Sequence, residues 1–571
     1  MKKINLISII FLKSILFQSF SFANNTGELS YTKKTTFYDT MPTAKKGGVL
    51  HIPIGSDPKV MNPLLSDDTA SSVVEGYLWL SLFSHDPETL EFIPNLAKHF
   101  HVSADKKEYT FSLYENAKWQ DGTPVTSDDI KFTFDTLMNT KTHAAALRTF
   151  YEGISLIVID KLKFKFHVEE PKFDSLNVLA SFIPIQKKQF ENTKDFNSDK
   201  GIMNPIGNAA YIFDKFLRSQ KIIFKRNKNW WAKDLPQFKN RFNPDEIILD
   251  IIPDPNLTYE KFLKGDIDQI SFTAEQWQNK VSNIDKSKFG SKQNEKKIWT
   301  LKVKNKFPKP YNYIAWNLKS SLFSDAKTRT ALSYLVDYNK IIEKVYFNLY
   351  TQSTSPFGSF TENAAPELRK KENMISYNKE KAFSLLKEAG WKNDGSGVLV
   401  REKNGKKEKF EFNLDINSNN TARQKIAEIV RENFKVAGIK VNIRSYEWNT
   451  FLDLINKRKF DALILGWTGS LYPNAKQIWD TDSEKNEGSN FISYSNARVD
   501  ELIKQSNLEF EPLKRQNIMQ EINRIIYHDQ PYTFIAEVNY ILEGLNSKIF
   551  SPRWIANYEA GAASDLFYLE K

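Results

Sequence analysis

Residues 410–443 read FEFNLDINSNNTARQKIAEIVRENFKVAGIKVNI, and this stretch indicates the fold class. Both of its ends alternate apolar and polar residues, which is typical of β-strands. Between them, residues 421–437 place apolar side chains at helical spacing from Ile426 to Phe434, and Gly438 follows as a helix-ending signal. A strand, a helix and a second strand in this order predict a βαβ unit.

The same mixture of elements continues on both sides of this stretch. Residues 462–465 are an apolar run that predicts a buried strand, and residues 109–113 alternate with period two. The turn residues 121–124 are followed by Thr126-Ser127-Asp128-Asp129, which can cap a helix because their oxygens accept bonds from free N–H groups. Mixed strands and helices over this length predict an α/β protein with inserted lobes.

The composition excludes several classes of protein. The chain has 571 residues, of which 41% are hydrophobic and 26% charged, so it can bury several cores and is not globally disordered. It contains no cysteine, which excludes disulfides, cysteine-ligated metals, thiol catalysis and a lipidated N-terminal cysteine. The net charge of +11 comes from basic residues interleaved with acidic ones, so we expect a solvated surface and no nucleic-acid partner.

The N-terminus is typical of an export signal. Lys2 and Lys3 precede a mostly apolar run, and Ser21-Phe22-Ala23 resembles a cleavage site. Lys13 interrupts the run and argues against a permanent membrane span, although an uncleaved anchor is the alternative. We predict that residues 1–23 are a signal peptide, that the polar residues 24–46 are a flexible leader, and that the mature protein is not inserted in a membrane.

Catalytic motifs are absent from the sequence. It contains no Gly-x-Ser-x-Gly, His-Glu-x-x-His, Walker or Gly-x-Gly-x-x-Gly pattern. His99 and His101 would face the same side of a strand and could share a metal, but two surface histidines are the simpler interpretation. We therefore predict no catalytic residue, no metal site and no cofactor.

Tryptophans beside turn residues are candidates for the walls of a ligand pocket. Trp316 precedes Asn317, Trp467 precedes Thr468-Gly469, and an indole in such a place offers a ring face for stacking. The alternative for each of them is partial burial in a core.

Residues 118–130 read KWQDGTPVTSDDI and resemble the signature of family 5 solute-binding proteins, the peptide- and nickel-binding receptors of bacterial ABC importers. The resemblance covers the chain from about Gly47 to its C-terminus, and its landmarks occur in the order of the family. These landmarks are Asp57-Pro58, Asn62-Pro63-Leu64, Pro94–Ala97, Tyr109–Leu113, Arg226–Trp231, Gly265–Asp268, Asp325–Asp337, Gly466–Gly469, Gly488–Phe491 and Asn496–Asp500.

The resemblance implies an α/β fold of the type II periplasmic-binding-protein kind, with two lobes joined by a hinge and a third, inserted lobe, as in cluster C-like proteins. Lobe I would be discontinuous and consist of residues 47–84, 205–305 and 536–571. The extra lobe would be residues 85–204, and lobe III would be residues 306–535. The two hinge crossings would lie near residues 300–312 and 530–540.

The resemblance also implies a function. The chain would be a periplasmic receptor, soluble and not a lipoprotein, that binds peptides in the cleft between the lobes and delivers them to the membrane permease of an ABC importer. It would act as a monomer. The ligand-binding residues that we expect are Gly466, Trp467, Thr468, Gly469, Ser470, Tyr472 and Asn490 of lobe III, the lobe I loop Asp67, Asp68, Thr69, Ala70 and Ser71, and also Trp316 and Asn317.

One departure from the family pattern bears on the ligand. Peptide receptors of this family often carry an aspartate, which pairs with the free α-ammonium of the ligand, where this chain has Ser470. A hydroxyl group offers no charge pairing, and charge-assisted hydrogen bonds are about twice as strong as neutral ones. The alternatives on the same fold are therefore a nickel chelate, a glycan or a peptide with a blocked N-terminus. From other classes, an exported hydrolase and a chaperone-like protein are the alternatives.

Overall fold

The structure is a computed structural model that describes residues 29–30, 43–66, 68–190, 193, 196–197, 205–281, 298–403, 405–485 and 488–569. The predicted signal peptide lies outside the described residues. Of the predicted leader, the described residues are 29–30 and 43–46, and Leu29–Ser30 pairs as a short strand with Val102 and His101.

The strands are β1 (Leu29–Ser30), β2 (Val49–Ile54), β3 (Phe83–His85), β4 (Phe92–Pro94), β5 (Ala97–Val102), β6 (Glu108–Leu113), β7 (Ile154–Val158), β8 (Lys163–Val168), β9 (Tyr211–Leu217), β10 (Lys221–Arg226), β11 (Glu246–Ile251), β12 (Gln269–Ser271), β13 (Ile298–Val303), β14 (Tyr311–Trp316), β15 (Tyr350–Thr351), β16 (Lys392–Asn393), β17 (Leu399–Lys403), β18 (Lys406–Lys409), β19 (Glu411–Asn417), β20 (Lys440–Tyr446), β21 (Ala462–Trp467), β22 (Tyr532–Val538), β23 (Ile541–Asn546), β24 (Ile549–Phe550) and β25 (Tyr568–Leu569). The α-helices are α1 (Thr69–Leu78), α2 (Ser127–Met138), α3 (Ala145–Arg148), α4 (Ser175–Ala180), α5 (Lys187–Phe190), α6 (Pro255–Lys264), α7 (Ala274–Gln276), α8 (Ala326–Tyr334), α9 (Tyr338–Lys344), α10 (Lys379–Glu388), α11 (Thr421–Val436), α12 (Trp448–Asn456), α13 (Lys476–Trp479), α14 (Ala497–Leu508) and α15 (Pro512–Asp529).

The predicted βαβ unit is confirmed and forms one end of the largest sheet. Strands β19 and β20 are parallel neighbours, and α11 connects them. Asn420 caps α11 by accepting a hydrogen bond from the Arg423 N–H at 3.0 Å, and Gly438 follows the helix in a left-handed conformation. The full strand order of this sheet is β15-β22-β14-β21-β19-β20. Its apolar faces lie in a core that also takes in side chains of α6 and β12.

The signature residues 118–130 build the inserted part of the chain. Trp119 is buried, and its indole Nε1 donates to a carboxylate oxygen of Asp129 at 3.2 Å. The same oxygen accepts from the N–H of Thr126 at 2.9 Å, which caps α2. Helix α2 then packs beside the antiparallel sheet β1-β5-β6-β8-β7. The motif is therefore a folding element, since its polar atoms are used inside the lobe.

Two further sheets lie in the range predicted for lobe I. The first has the order β2-β11-β10-β9, with β2 and β11 parallel, and the second has the order β12-β23-β13. The chain passes from β13 into β14 of the largest sheet at residues 304–310, and from β22 back into β23 at residues 539–540. We keep the names lobe I, extra lobe and lobe III for the ranges given above, and this division stays a prediction.

Candidate ligand-binding site

A segment with unpaired backbone follows the end of β21. Residues 468–472, which we call the ligand strip, continue the chain beyond Trp467, and the side chains of Thr468 and Ser470 are exposed. Among the described residues, no hydrogen bond is formed by the N–H or C=O groups of the strip. Main-chain groups that lack an internal partner can pair with an added strand, so the strip can bind an extended chain.

The strip lies against the first crossing between the sheets. A Cβ atom added to Gly469 would overlap the backbone carbonyl of Pro308 and would lie 3.0 Å from the Pro308 Cβ. A Cβ at Gly466 would lie 3.0 Å from the carbonyl oxygen of Tyr311, on the neighbouring strand β14. Glycine is therefore required at Gly469 by close backbone approach, and the position of the strip is tied to that of the crossing.

Trp467 is the aromatic side chain next to the strip. It is half-buried, and its indole Nε1 donates to the hydroxyl of Tyr532 at 3.4 Å. Its ring lies 6.0 Å from that of Phe491, centroid to centroid. Burial raises the pKa of the Tyr532 phenol above its already high ordinary value. Trp467 thus has one side on the core and leaves part of its surface open beside the strip.

Two predicted pocket residues, Trp316 and Asn490, are fully buried in the structure. Trp316 is fully buried, its ring packs 5.0 Å from that of Phe323, and its indole donates to Thr533 Oγ1 at 3.1 Å. Asn490 is also fully buried, and its amide donates to the carbonyls of Asp480 and Tyr494 at 3.0 and 2.8 Å. Their polar groups have partners inside the protein, and a ligand contact at Trp316 or Asn490 stays a prediction.

Asn317 has a structural contact as well. Its side-chain amide donates to the carbonyl of Phe460 at 2.8 Å, and its carbonyl accepts from the Lys319 N–H at 3.2 Å. It therefore holds the turn that follows β14, although it is half-buried and keeps some exposed surface. A ligand contact at Asn317 stays a prediction.

The predicted lobe I loop is largely used for folding. Asp67 lies outside the described residues, and Thr69 is exposed. Asp68 is 6% exposed and caps α1 by accepting from the Ser71 N–H at 3.0 Å. Ser71 is fully buried, and its Oγ accepts from the Val60 N–H at 3.2 Å, while Ala70 is also buried. Asp68, Ala70 and Ser71 thus have roles in capping and packing, and their contact with a ligand stays a prediction.

Several contacts join residues of different predicted lobes, and we call the arrangement that contains them the closed form. Between lobes I and III, Glu275 pairs with Lys425 at 2.9 Å and Lys59 with Asp453 at 3.6 Å. Beyond the strip, the ring of Tyr472 lies 5.5 Å from that of His85 in the extra lobe. Burial raises the pKa of Tyr472 to about 12.

A second set of contacts, which the sequence did not indicate, joins the extra lobe to lobe III just beyond the strip. Asn474 donates through its Nδ2 to Asp174 Oδ2 at 3.1 Å, and the guanidinium of Arg515 lies 3.3 Å from the ring centroid of Phe173. No motif marks these residues. Only the folded structure brings them together, because they are some 300 residues apart in the chain.

Two buried charged groups lie where the chain crosses between the sheets. Lys309 is 8% exposed, its Nζ donates to the carbonyl of Phe307 at 2.7 Å, and burial lowers its pKa to about 8. Glu537 accepts from the Ser359 N–H at 2.6 Å, and burial raises the pKa of its carboxyl group. The two charges attract each other, but desolvation outweighs this attraction at both groups.

The described residues contain no cluster of metal ligands at this site. Within the described ranges, no three His, Cys, Asp or Glu side chains lie close enough to hold a metal ion. His99 and His101 are on β5, far in sequence from the strip, and burial lowers the pKa of His99. Likewise, no helix of the described part of the chain is long and apolar enough to cross a membrane.

Comparison with known proteins agrees with this geometry. The chain is 28% identical over 542 residues to the oligopeptide-binding protein AppA of Bacillus subtilis, covering 92% of each. The solved structure of that AppA in complex with a nonapeptide matches with a TM-score of 0.80 at 25% identity, covering 93% of this chain and all of AppA.

Two more distant structures share the fold. DppA of Helicobacter pylori in complex with the peptide STSA matches with a TM-score of 0.78 at 19% identity, over 92% of this chain and 99% of DppA. NikZ of Campylobacter jejuni in complex with Ni(L-His) matches with a TM-score of 0.75 at 22% identity, over 91% of this chain and 99% of NikZ. The family model for bacterial extracellular solute-binding proteins, family 5, matches residues 91–490. The chain therefore belongs to family 5 of the bacterial extracellular solute-binding proteins.

Proposed function

We propose that this protein is the substrate-binding receptor of an ABC importer and that its ligand is a peptide. The observation that carries the proposal is the ligand strip, whose five residues form no main-chain hydrogen bond among the described residues and follow directly after Trp467. AppA, an oligopeptide-binding protein that matches this chain over nearly its whole length, supports the same ligand class.

The strip would bind the backbone of the ligand. Because the chain bends at residues 471–472, the strip spans less than the roughly 16 Å of five extended residues, which still leaves room to pair with a few residues of a peptide by main-chain hydrogen bonds. Main-chain pairing gives affinity without strong sequence preference, and bridging water in the side-chain pockets would add tolerance. Trp467 would offer its open ring surface to one ligand side chain.

Closure would come from the two crossings at residues 304–310 and 539–540, which we propose as the hinge between lobes I and III. Because Gly469 contacts Pro308 on the first crossing, bending there would move the strip together with lobe III. The closed form would then dock on a membrane permease. We further propose export by the N-terminal signal, a periplasmic location and a monomeric state.

The ligand terminus is the point where this chain departs from a simple peptide receptor. Ser470 is exposed in the strip and has no charge to pair with an α-ammonium group. We therefore propose that the free N-terminus of a ligand is not held at position 470. A peptide whose N-terminus is blocked would lose nothing there, whereas a carboxylate at this position would favour a free one.

The first experiment is mass spectrometry of the ligands released when the purified protein, residues 24–571, is denatured. A mixture of short peptides would support the proposal. A metal chelate or a glycan would overturn the ligand class while keeping the fold. Calorimetry with matched synthetic nonapeptides, acetylated and free at the N-terminus, then tests position 470. Similar affinities for the two are expected, and Ser470→Asp should shift the preference toward the free form.

A further inference from the structure

One arginine side chain, Arg423, leaves one edge of its guanidinium plane without a partner. Arg423 lies in the first turn of α11, and its Nη1 donates to the Oδ1 of Asn417, the last residue of β19. Its Nε is buried and has no partner, and its Nη2, which likewise forms no hydrogen bond among the described residues, reaches solvent. Nε and Nη2 share one edge of the guanidinium, so their N–H groups form a fork, which we call the Arg423 fork.

The same edge of the guanidinium is filled at other arginines of lobe III. Arg444, on the neighbouring strand β20, donates through Nε and Nη2 to the two carboxylate oxygens of Asp415 at 2.6 and 2.8 Å. Arg329, which is 5% exposed, donates through all three of its nitrogen atoms to main-chain carbonyls. Arg423 is half-buried without such acceptors, so it has lost part of its hydration and gained little in return.

Arg423 also lacks a countercharge. Among the described residues, no carboxylate group forms an ion pair with it. Burial lowers its pKa, and the groups that oppose this effect are the phenols of Tyr346 and Tyr313. A phenol has an ordinary pKa of about 10, so neither ring carries a negative charge at neutral pH that would balance the guanidinium. An anionic group brought by a ligand would supply this charge.

The Arg423 fork lies at the edge of the sheet that carries the ligand strip. Strands β19 and β21 are parallel neighbours, with Leu414 beside Ala462. Their carboxyl ends therefore meet at the same edge, which is where ligands bind in open α/β sheets. If this register continues, Asn417 lies one strand aside from Trp467 and two residues before it, which is about 8 Å between their Cα atoms. A ligand paired with the strip can therefore reach Arg423 with one of its ends.

A carboxylate is the group that fits the Arg423 fork. Its two oxygens match two parallel N–H groups, as Asp415 does at Arg444. Pairing with the main chain of the strip selects no side chain, and the carboxylate that every unblocked peptide carries is the C-terminal one. We propose that Arg423 binds the C-terminal carboxylate of the ligand. This inference rests on the proposed function, because it takes the ligand to be a peptide bound at the strip.

Recognition would then act through the end of the peptide that Ser470 leaves unread. Ser470 offers no charge to an α-ammonium group, whereas Arg423 offers a positive charge and two aligned donors to a carboxylate. The class of ligand is therefore peptides with a free C-terminus, whether their N-terminus is free or acylated. A peptide that ends in an amide would place a neutral group, with one acceptor oxygen, against the fork.

The test compares peptides that differ at the C-terminus alone. Acetylated alanine–serine peptides of three, five and nine residues are each prepared with a free carboxylate and with a C-terminal amide. Calorimetry with residues 24–571, denatured and refolded to remove bound molecules, measures the affinity of each. At the length that binds best, we expect the acid to bind about tenfold to a hundredfold more tightly than the amide, as for the gain of one paired, charge-assisted contact.

Two variants assign the preference to Arg423. Arg423→Gln should lower the affinity for the acid to that for the amide and leave the affinity for the amide unchanged. Arg431→Gln is the matched control, since it removes the same charge from the same helix at an exposed side chain, which lies 3.7 Å from Glu432. It should leave the ratio of the two affinities as in the parent protein. A preference for the acid that persists in Arg423→Gln would overturn the inference.

Urea denaturation of the ligand-free protein separates a ligand contact from a structural role. Arg423→Gln should lower the urea midpoint far less than Arg329→Gln, which leaves several buried carbonyls without donors. An equal loss in both variants would make Arg423 a structural residue and overturn the inference. Equal binding of acid and amide by the parent protein would overturn this inference and keep the proposed function. Binding of neither form at any length would overturn both.

Discussion

Gly469→Ala is the perturbation that tests most directly how the ligand strip is positioned. The added methyl group would overlap the carbonyl of Pro308, so the strip and the first crossing have to separate. Overpacking of this kind costs about 1–3 kcal/mol when neighbours must move. On the proposal that this crossing is a hinge and that the strip binds the ligand backbone, we expect a loss of both stability and affinity.

The loss of affinity can be worked out from the strip. A five-residue strip that pairs as a strand offers about half of its main-chain groups to one neighbour, which is two or three N–H and an equal number of C=O groups. If the shift breaks one or two of these bonds, at about 1 kcal/mol each, the Kd rises about five- to thirtyfold. Urea denaturation of the ligand-free protein measures the first loss, and calorimetry with a bound nonapeptide measures the second.

A matched control separates the contact from the residue type. Gly76→Ala, on the exposed side of α1, introduces the same methyl group where no atom lies within 4 Å. It should leave affinity unchanged and should stabilise the helix slightly, because alanine is a better helix former than glycine. If Gly469→Ala and Gly76→Ala behave alike in both assays, the close approach of the strip to Pro308 plays no part in binding and the reasoning fails.

Three other predictions concern single side chains. Trp467→Ala should weaken peptide binding about tenfold or more, but it should lower the stability of the ligand-free protein by less than about 2 kcal/mol, since the ring is only half-buried. Calorimetry measures the affinity and urea denaturation the stability. A dominant loss of stability would make Trp467 a core residue. Asn490→Ala should lower the free energy of unfolding by about 2–3 kcal/mol, because the buried carbonyls of Asp480 and Tyr494 lose their donors. The affinity of the remaining folded protein should be unchanged. A binding defect at full stability would instead support a ligand contact at Asn490. Burial raises the pKa of Glu543 to about 7, so between about pH 4.5 and 7 the folded form keeps a proton that the unfolded chain has released, and stability should fall as the pH rises through that window. Glu543→Gln should flatten this fall in denaturation curves recorded from pH 5 to 8. An unchanged slope would contradict the prediction.

The local elements were largely predictable because their signals lie within short stretches. The βαβ unit from β19 to β20 is confirmed, since alternation and helical spacing report which side of each element is buried. The capping residues before α2 are confirmed for the same reason, because a cap acts over three residues. The sequence signal for such a local contact lies in the same residues that form it.

The individual site residues were less predictable. Trp316 and Asn490 lie next to turn residues in the sequence, as pocket residues often do, but both are buried with satisfied polar groups. A tryptophan beside a turn can point into a core or into a cleft, and the neighbouring residues do not distinguish the two. Asp68 and Ser71 show the same ambiguity, because a helix cap and a ligand contact favour the same residue types.

What the sequence alone established is the fold class, the order of the family landmarks and the region that contains the strip, because these depend on patterns within a few tens of residues. What only the tertiary structure decided is which side of each residue meets the cleft, and which distant segments touch it. Gly469 lies on Pro308, and Asn474 on Asp174, through contacts between segments more than a hundred residues apart. The physical reason is that folding brings together surfaces from distant segments whose sequences carry no mutual periodicity, so their complementarity exists only in three dimensions.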